Sequence, residues 1–274
     1  MEPDPAIVLR HFSYTTILQS PTPENKHMQS HTQQLASYGY SITEALFTTE
    51  EVALLLQIIN QVAGTTQNFR KTKDLFAIRN VLGEIPDLVP VVFNENLQKL
   101  LRGLVGADYF LVKSIYFDKP PLSNWAVYWH QDLMILVDQR TETDGFRPWT
   151  FKDGQHAVLR PLSYLENMLT VRIHLDDCTE SNGSLRVITG SHASGILSPE
   201  QIQFYRKKKE SYCCEVSAGG LLLMKPLVLH ASSKSAVNAH RRVLHLEFSS
   251  QELPFPLQWR ERRSYEPSKT AVHQ

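Results

Sequence analysis

Cysteine is scarce. Cys178 and the adjacent Cys213-Cys214 are the only three in 274 residues, too few for a disulfide framework and without the paired spacing of a zinc knuckle. Neither sign of charge is in excess, with 28 Lys+Arg against 28 Asp+Glu, which argues against a general nucleic-acid binder or a protein held on an anionic membrane. The only dense basic run, Arg206-Lys207-Lys208-Lys209, is followed by Glu210 and reads as the wet face of a short helix. No apolar run approaches the length of a membrane span. The start, Met1-Glu2-Pro3-Asp4-Pro5, has no basic and apolar leader pattern. Glycine fingerprints for phosphate loops and dinucleotides are missing, as are a Gly-x-Ser-x-Gly elbow and a His-Glu-x-x-His helix. The expectation is a cytoplasmic protein that acts on a small molecule, with no nucleic-acid and no membrane partner. The sequence sets no oligomeric state.

With 42% hydrophobic and 20% charged residues, the chain is long enough for one large domain with a sizeable core. Residues 1–28, broken by Pro and Ser, read as an arm. Helices are expected over Gln29–Tyr38, from the capping box Thr48/Glu51 through the stripe Val52, Leu55, Leu56, Ile59 and Val62 to Gly64, and over Asn94–Val105. The period then changes. Strands are expected at Tyr109–Asp118, Trp125–Gln139, Leu169–Asp176, Ser184–Ile188, Cys213–Val216, Leu221–Lys225, Leu227–Ser232 and Val243–Ser249, with one helix at Pro199–Lys209. Helices first and strands afterwards indicate an α+β chain whose second part is a double-sheet β-fold. The segment from Arg140 to Leu162 is long for a hairpin loop, and reads as a lid, a binding segment or a structural flap.

Eleven histidines make His-x-acid pairs unremarkable, and there are three: His130-Gln131-Asp132, His174-Leu175-Asp176 and His245-Leu246-Glu247. On a strand, residues i and i+2 share a face, so each pair could offer an imidazole and a carboxylate to one metal ion. A facial triad needs a second histidine and suits non-haem Fe(II). His230 is the obvious candidate. Several strands separate Asp132 from His230, enough to wind two sheets and return to one site, so the first pair fits it better than the second.

Trp129-His130-Gln131-Asp132, then Leu175-Asp176-Asp177 leading to Ser181-Asn182-Gly183-Ser184-Leu185 and Gly190-Ser191-His192, resembles the phytanoyl-CoA dioxygenase family. Lys119-Pro120-Pro121 ahead of the first block fits the resemblance, as do His230-Ala231-Ser232, Arg241 and Phe248 after it. It runs from about Gln29 to Ser249. The resemblance implies an Fe(II)- and 2-oxoglutarate-dependent oxygenase that uses O2, built on a double-stranded β-helix, or jelly roll, with N-terminal helices packed on the major sheet. One oxygenase domain would cover 29–274, with a helical part at 29–106, the β-helix at 107–250 and a tail at 251–274. It further implies His130, Asp132 and His230 as iron ligands and catalytic centre, Arg241 as anchor of the distal carboxylate of 2-oxoglutarate, and Ser232 as its hydroxyl partner. A carboxylate at Asp132 favours hydroxylation, since a halogenase would leave that position to a halide.

Strand alternation separates two tandem arginines. Arg242 shares a face with Leu244, Leu246 and Phe248, whereas Arg241 shares one with His245 and Glu247. A guanidinium can hold a carboxylate through two parallel hydrogen bonds. Where the family usually has tryptophan this chain has Arg172, on the polar face of its strand with Thr170, His174 and Asp176. Arg172 is expected either to bind a carboxylate of substrate or of 2-oxoglutarate, or to pair with Asp176 or another acid. Lys113 and Ile115, on the strand before the first motif, are expected to border the co-substrate, with an exposed edge lysine as the alternative. Trp149 in the Arg140–Leu162 insertion, His174 and Gln131 complete the expected substrate contacts. The substrate class is then a small, carboxylate-bearing metabolite. The rival of another class is a non-catalytic β-helix protein that binds a ligand or a structural metal.

Overall fold

The computed structural model describes residues 23–62, 66–71, 75–106, 108–120, 126–152 and 154–264. Helix α1 (Pro23–Tyr38) precedes strand β1 (Tyr40–Ile42), and α2 (Thr49–Asn60) is followed by β2 (Phe69–Lys71) and β3 (Leu75–Arg79). Three more helices, α3 (Val81–Glu84), α4 (Leu88–Val92) and α5 (Glu95–Val105), lead into the long strand β4 (Phe110–Lys119). Sequence chemistry sets the helix starts. Thr48 Oγ1 accepts from the Glu51 N–H at 3.2 Å and Glu51 Oε2 accepts from the Thr48 N–H at 2.8 Å, closing the expected capping box. Asn94 caps α5 by accepting from the Leu97 N–H at 2.9 Å.

The remaining elements are β5 (Val127–His130), β6 (Met134–Val137), β7 (Trp149–Lys152), β8 (Gln155–Leu159), α6 (Leu162–Glu166), β9 (Met168–His174), β10 (Leu185–Val187), α7 (Pro199–Lys208), β11 (Tyr212–Cys214), β12 (Leu221–Met224), β13 (His230–Ser232), β14 (Arg241–Ser249) and β15 (Arg263–Ser264). They form an antiparallel major sheet in the order β1-β12-β9-β14-β4-β3-β2, with β15 also on β4, and a minor sheet in the order β11-β10-β13-β5. This is the expected α+β jelly roll. The helices cover one face of the major sheet. Leu55, Ile59, Leu97 and Leu101 pack there against Leu169, Val171, Ile173, Leu244, Leu246 and Phe248, which alternate along β9 and β14. The opposite face of the same strands, carrying Arg172, Arg241, His245 and Glu247, is left for the site.

Several expected boundaries change. Helix α1 begins at Pro23, inside the expected arm, whose residues 1–22 lie outside the described residues, as does Gly64. Strands β1, β2 and β3 join the major sheet from within the part expected to be helical. They are three to five residues long, too short for a period to show. The single strand expected over Trp125–Gln139 is two, and Trp125 lies outside the described residues. Its break follows from Gln131, whose amide Nε2 donates to the carbonyls of Gly195 (2.8 Å) and Leu227 (2.7 Å) while its Oε1 accepts from the Leu197 N–H. The Asp132 N–H bonds Pro226 O at 2.9 Å, so the chain leaves the minor sheet there. The insertion is folded too. Strand β8 pairs with β6 on one side and β7 on the other, and Phe146 and Val158 pack with Leu253, Leu257 and Trp259 of the C-terminal segment.

Candidate metal centre

His130 lies on β5 and His230 on β13, directly opposite each other in the minor sheet, while Asp132 follows β5 by two residues. A β-bulge interrupts this pairing, because His230 faces His130 but Ser232 faces Val127. Two residues of β5, Tyr128 and Trp129, thus oppose Ala231 alone. The bulge allows Val127 and His130, three apart, both to face the interior and sends Tyr128 into solvent, 87% exposed.

Each imidazole is oriented by its own chain. His130 Nδ1 donates to Tyr128 O at 2.7 Å and His230 Nδ1 donates to Val228 O at 2.8 Å. A carbonyl can only accept, so the Nδ1 atoms carry protons, and in the neutral imidazoles each Nε2 lone pair is free for a metal. Both Nε2 atoms stand 3.6 Å from an Asp132 carboxylate oxygen, on opposite oxygens. One ligand atom from each of the three residues lies within 4.8 Å of the others. Burial alone would raise the Asp132 carboxyl, but His230 and His130 hold it well below the usual carboxylate range. Burial pushes the His230 imidazole down to about 4, which keeps it in the neutral, ligating form. Tautomer, charge and convergence all fit a divalent ion on two nitrogens and a carboxylate, with further coordination positions open.

The triad opens into a cavity of about 250 Å³, lined also by Lys113, Ile115, Phe117, Val127, Arg172, Leu185, Ser232, Arg241 and His245. Arg241 is buried. Its Nη1 donates to Gly183 O at 2.8 Å, while its Nε has no protein partner. The Ser232 hydroxyl and Arg172 Nε are likewise buried without a protein partner. Three orphaned polar atoms from residues around one cavity mark where a polar ligand would complete the site.

The other His-x-acid pairs are used differently. Arg242 clasps Asp176 with Nε at 2.8 Å and Nη2 at 2.6 Å, so Asp176 is not the partner of Arg172. His245 and Glu247 reach the vicinity of Asp132, but Lys113 Nζ sits 2.7 Å from Glu247 Oε1, where a cation is thus already in place. Lys113 is no edge residue, since β4 runs between β14 and β3. Arg172 Nη1 donates to His245 Nδ1 at 2.9 Å, and its guanidinium lies 6.0 Å from the Phe117 ring centre.

Of the residues expected from sequence, the fold thus brings His130, Asp132, His230, Arg241, Ser232, Lys113, Ile115 and Arg172 to one cavity. Trp149, His174 and Gln131 do not line it. Trp149 packs at the edge of the insertion core, Gln131 is spent on backbone groups, and His174 is buried with neither ring nitrogen bonded. Phe117, Val127 and Leu185 line the cavity and were missed. Phe117 was legible, sharing a strand face with Lys113 and Ile115, whereas the bulge hides Val127.

The model of the phytanoyl-CoA dioxygenase (PhyH) family matches residues 35–243. Among curated proteins, the chain is 26% identical over 179 residues to a probable alpha-ketoglutarate-dependent hypophosphite dioxygenase of Stutzerimonas stutzeri, an alignment covering 60% of this chain and 54% of that protein. It is 23% identical over 186 residues to the ectoine dioxygenase of Sphingopyxis alaskensis, covering 64% and 54%. The chain thus spans about half the length of the curated relatives it matches. The crystal structure of EctD from S. alaskensis with 2-oxoglutarate and 5-hydroxyectoine superposes with a TM-score of 0.66 at 18% identity, over 87% of this chain and 82% of that one, a likeness of fold. With the family model matched across both histidine blocks and the arginine, the chain belongs to the phytanoyl-CoA dioxygenase family.

Proposed function

We propose that this protein is an Fe(II)- and 2-oxoglutarate-dependent dioxygenase that hydroxylates a small metabolite. The observation that carries the reading is the convergence of His130, Asp132 and His230, with both Nε2 lone pairs free, on a cavity that also holds Arg241 and Ser232. When bound, the iron together with 2-oxoglutarate and O2 supplies the oxidising chemistry, converting the co-substrate to succinate and CO2 and adding a hydroxyl group to the substrate. His130, Asp132 and His230 would hold the metal and leave coordination positions for the co-substrate and O2. Arg241 presents a buried guanidinium to the distal carboxylate, and Ser232 donates from its hydroxyl. Ile115, Phe117, Val127 and Leu185 provide apolar wall that keeps water from the co-substrate's methylene groups. His130 is the most open of the three ligands, with 41% of its side chain exposed, so the substrate enters on its side.

Anaerobic addition of Fe(II) and then 2-oxoglutarate to the apo-protein tests this. A weak visible metal-to-ligand charge-transfer band is expected, lost in His130→Ala and weakened in Arg241→Ala. A folded, iron-loaded protein with no band would overturn the reading and leave a non-catalytic β-helix protein in its place.

A further inference from the structure

The charged side chains lining the cavity are Lys113, Asp132, Arg172 and Arg241. Their balance can be followed once the ligands of the proposed function are placed. Lys113 is matched inside the protein by Glu247. Arg241 is matched by the distal carboxylate of 2-oxoglutarate. The two charges of iron are matched by Asp132 and the other carboxylate of the co-substrate. One cation is left over, and it is Arg172.

Nothing among the described residues removes that charge. Among the described residues no carboxylate is hydrogen-bonded to Arg172, since Asp176 is held by Arg242 and the neighbour of Arg172 Nη1 is a ring nitrogen. A guanidinium can only donate, so His245 Nδ1 accepts, and His245 Nε2 must carry the proton that faces Glu247 Oε1 at 3.1 Å. The Arg172→His245→Glu247 chain, with Lys113 closing it, fixes one end of the guanidinium and leaves the buried Nε unpartnered. A buried charge without a counter-charge is costly, and a cavity wall is where a ligand can supply one.

We infer that the primary substrate is an anion, a carboxylate or another oxyanion, whose acidic group pairs with Arg172. The inference rests on the dioxygenase reading, which supplies the other occupants of the cavity. A planar two-pronged donor next to the metal would also fix which substrate carbon faces the iron. Neutral and cationic analogues of the substrate leave Arg172 unpaired and are excluded.

The test uses the full chain loaded with Mn(II) and saturated with 2-oxoglutarate, titrated calorimetrically with acetate and, separately, with acetamide as a neutral isostere. Acetate is expected to bind saturably and acetamide at least about tenfold more weakly. Arg172→Met should lower acetate affinity by about tenfold or more while 2-oxoglutarate affinity stays within about threefold of the wild type. Arg172→Lys, which keeps the charge and loses the fork, guards against a variant that does not fold and should show an intermediate acetate affinity. No saturable acetate binding to the wild type, equal binding of acetate and acetamide, or acetate binding unchanged by both substitutions overturns the inference. A loss of 2-oxoglutarate affinity by about tenfold in Arg172→Met overturns it as well, by assigning Arg172 to the co-substrate. Wild-type protein that takes up Mn(II) but not 2-oxoglutarate sinks the dioxygenase reading itself, and the substrate inference with it.

Discussion

Lys113 donates from Nζ to Glu247 Oε1 across adjacent strands of the major sheet, 2.7 Å apart and in register. The ammonium lines the cavity, yet its counter-charge is internal. Burial would lower the Lys113 ammonium, but Glu247 and Asp132 nearby raise it above its usual value. Burial would likewise raise the Glu247 carboxyl, which Lys113 and His245 bring down to about 2. Each group therefore stays charged because of the other.

Removing one partner strands the other. Lys113→Met should destabilise the protein by about 3–5 kcal/mol in urea unfolding, the range for breaking a buried pair. The double variant Lys113→Met/Glu247→Gln should recover more than half of that loss, because no charge is then left buried alone. If Lys113 served mainly to bind the co-substrate, single and double variants would instead share an affinity loss of about tenfold for 2-oxoglutarate.

The Glu261 carboxyl gives the fold a pH dependence of the opposite kind. Ser114 Oγ donates to Glu261 Oε2 at 2.6 Å and accepts from the Leu82 N–H, while Glu261 Oε1 is buried without a partner. Burial outweighs the Ser114 hydrogen bond and raises the carboxyl from 4.5 to about 7. A raised folded-state value means that the folded protein holds this proton more tightly than the unfolded chain. The associated stability is complete below about pH 4.5 and is lost as the pH rises through about 7, amounting to on the order of 3 kcal/mol. Glu261→Gln, which cannot ionise, should lack that decline. Parallel urea midpoints for both proteins from about pH 4.5, the ordinary value, to about pH 8, above the raised one, would show the effect to be absent.

What the sequence revealed, and what it hid, follows from periodicity. Strand β14 is nine residues long and alternates without interruption, so Leu244, Leu246 and Phe248 could be assigned to the helices and Arg241 to the cavity. The His130/Asp132/His230 grouping came from spacing and order together with a family resemblance, since three His-x-acid pairs were equivalent by spacing alone. Arg172 was visible as a charge on a polar strand face. Its neighbours were not, because Arg172, His245 and Glu247 meet only once β9 lies beside β14. The bulge in β5 breaks the rule of two and placed Val127 beyond reach. Gln131, as a polar residue between two proposed metal ligands, reads as functional, but its amide holds three backbone groups instead of lining the cavity. The same pairing logic that exposed Arg241 could not show what aims it, which is a turn.

That turn is Gly183. Its φ is +79°, a left-handed conformation that costs other residues about 1–2 kcal/mol. A Cβ there would come within 2.5 Å of the Ser233 backbone oxygen, a contact no side-chain rotation can relieve. The Gly183 carbonyl is also the acceptor for Arg241 Nη1, so moving the turn away from Ser233 moves the group that orients the guanidinium. Gly183→Ala should therefore weaken 2-oxoglutarate binding to the Mn(II)-loaded protein by about tenfold, beyond its cost in stability. Gly145→Ala is the control. Its φ of +78° imposes a similar backbone penalty, but the nearest atom to its Cβ would be the Pro161 ring at 3.1 Å, in the insertion and off the cavity. It should lose stability and keep its affinity for 2-oxoglutarate. If calorimetry gives both variants the same affinity, the turn supports the fold without aiming Arg241, and the Gly183 carbonyl is an incidental acceptor.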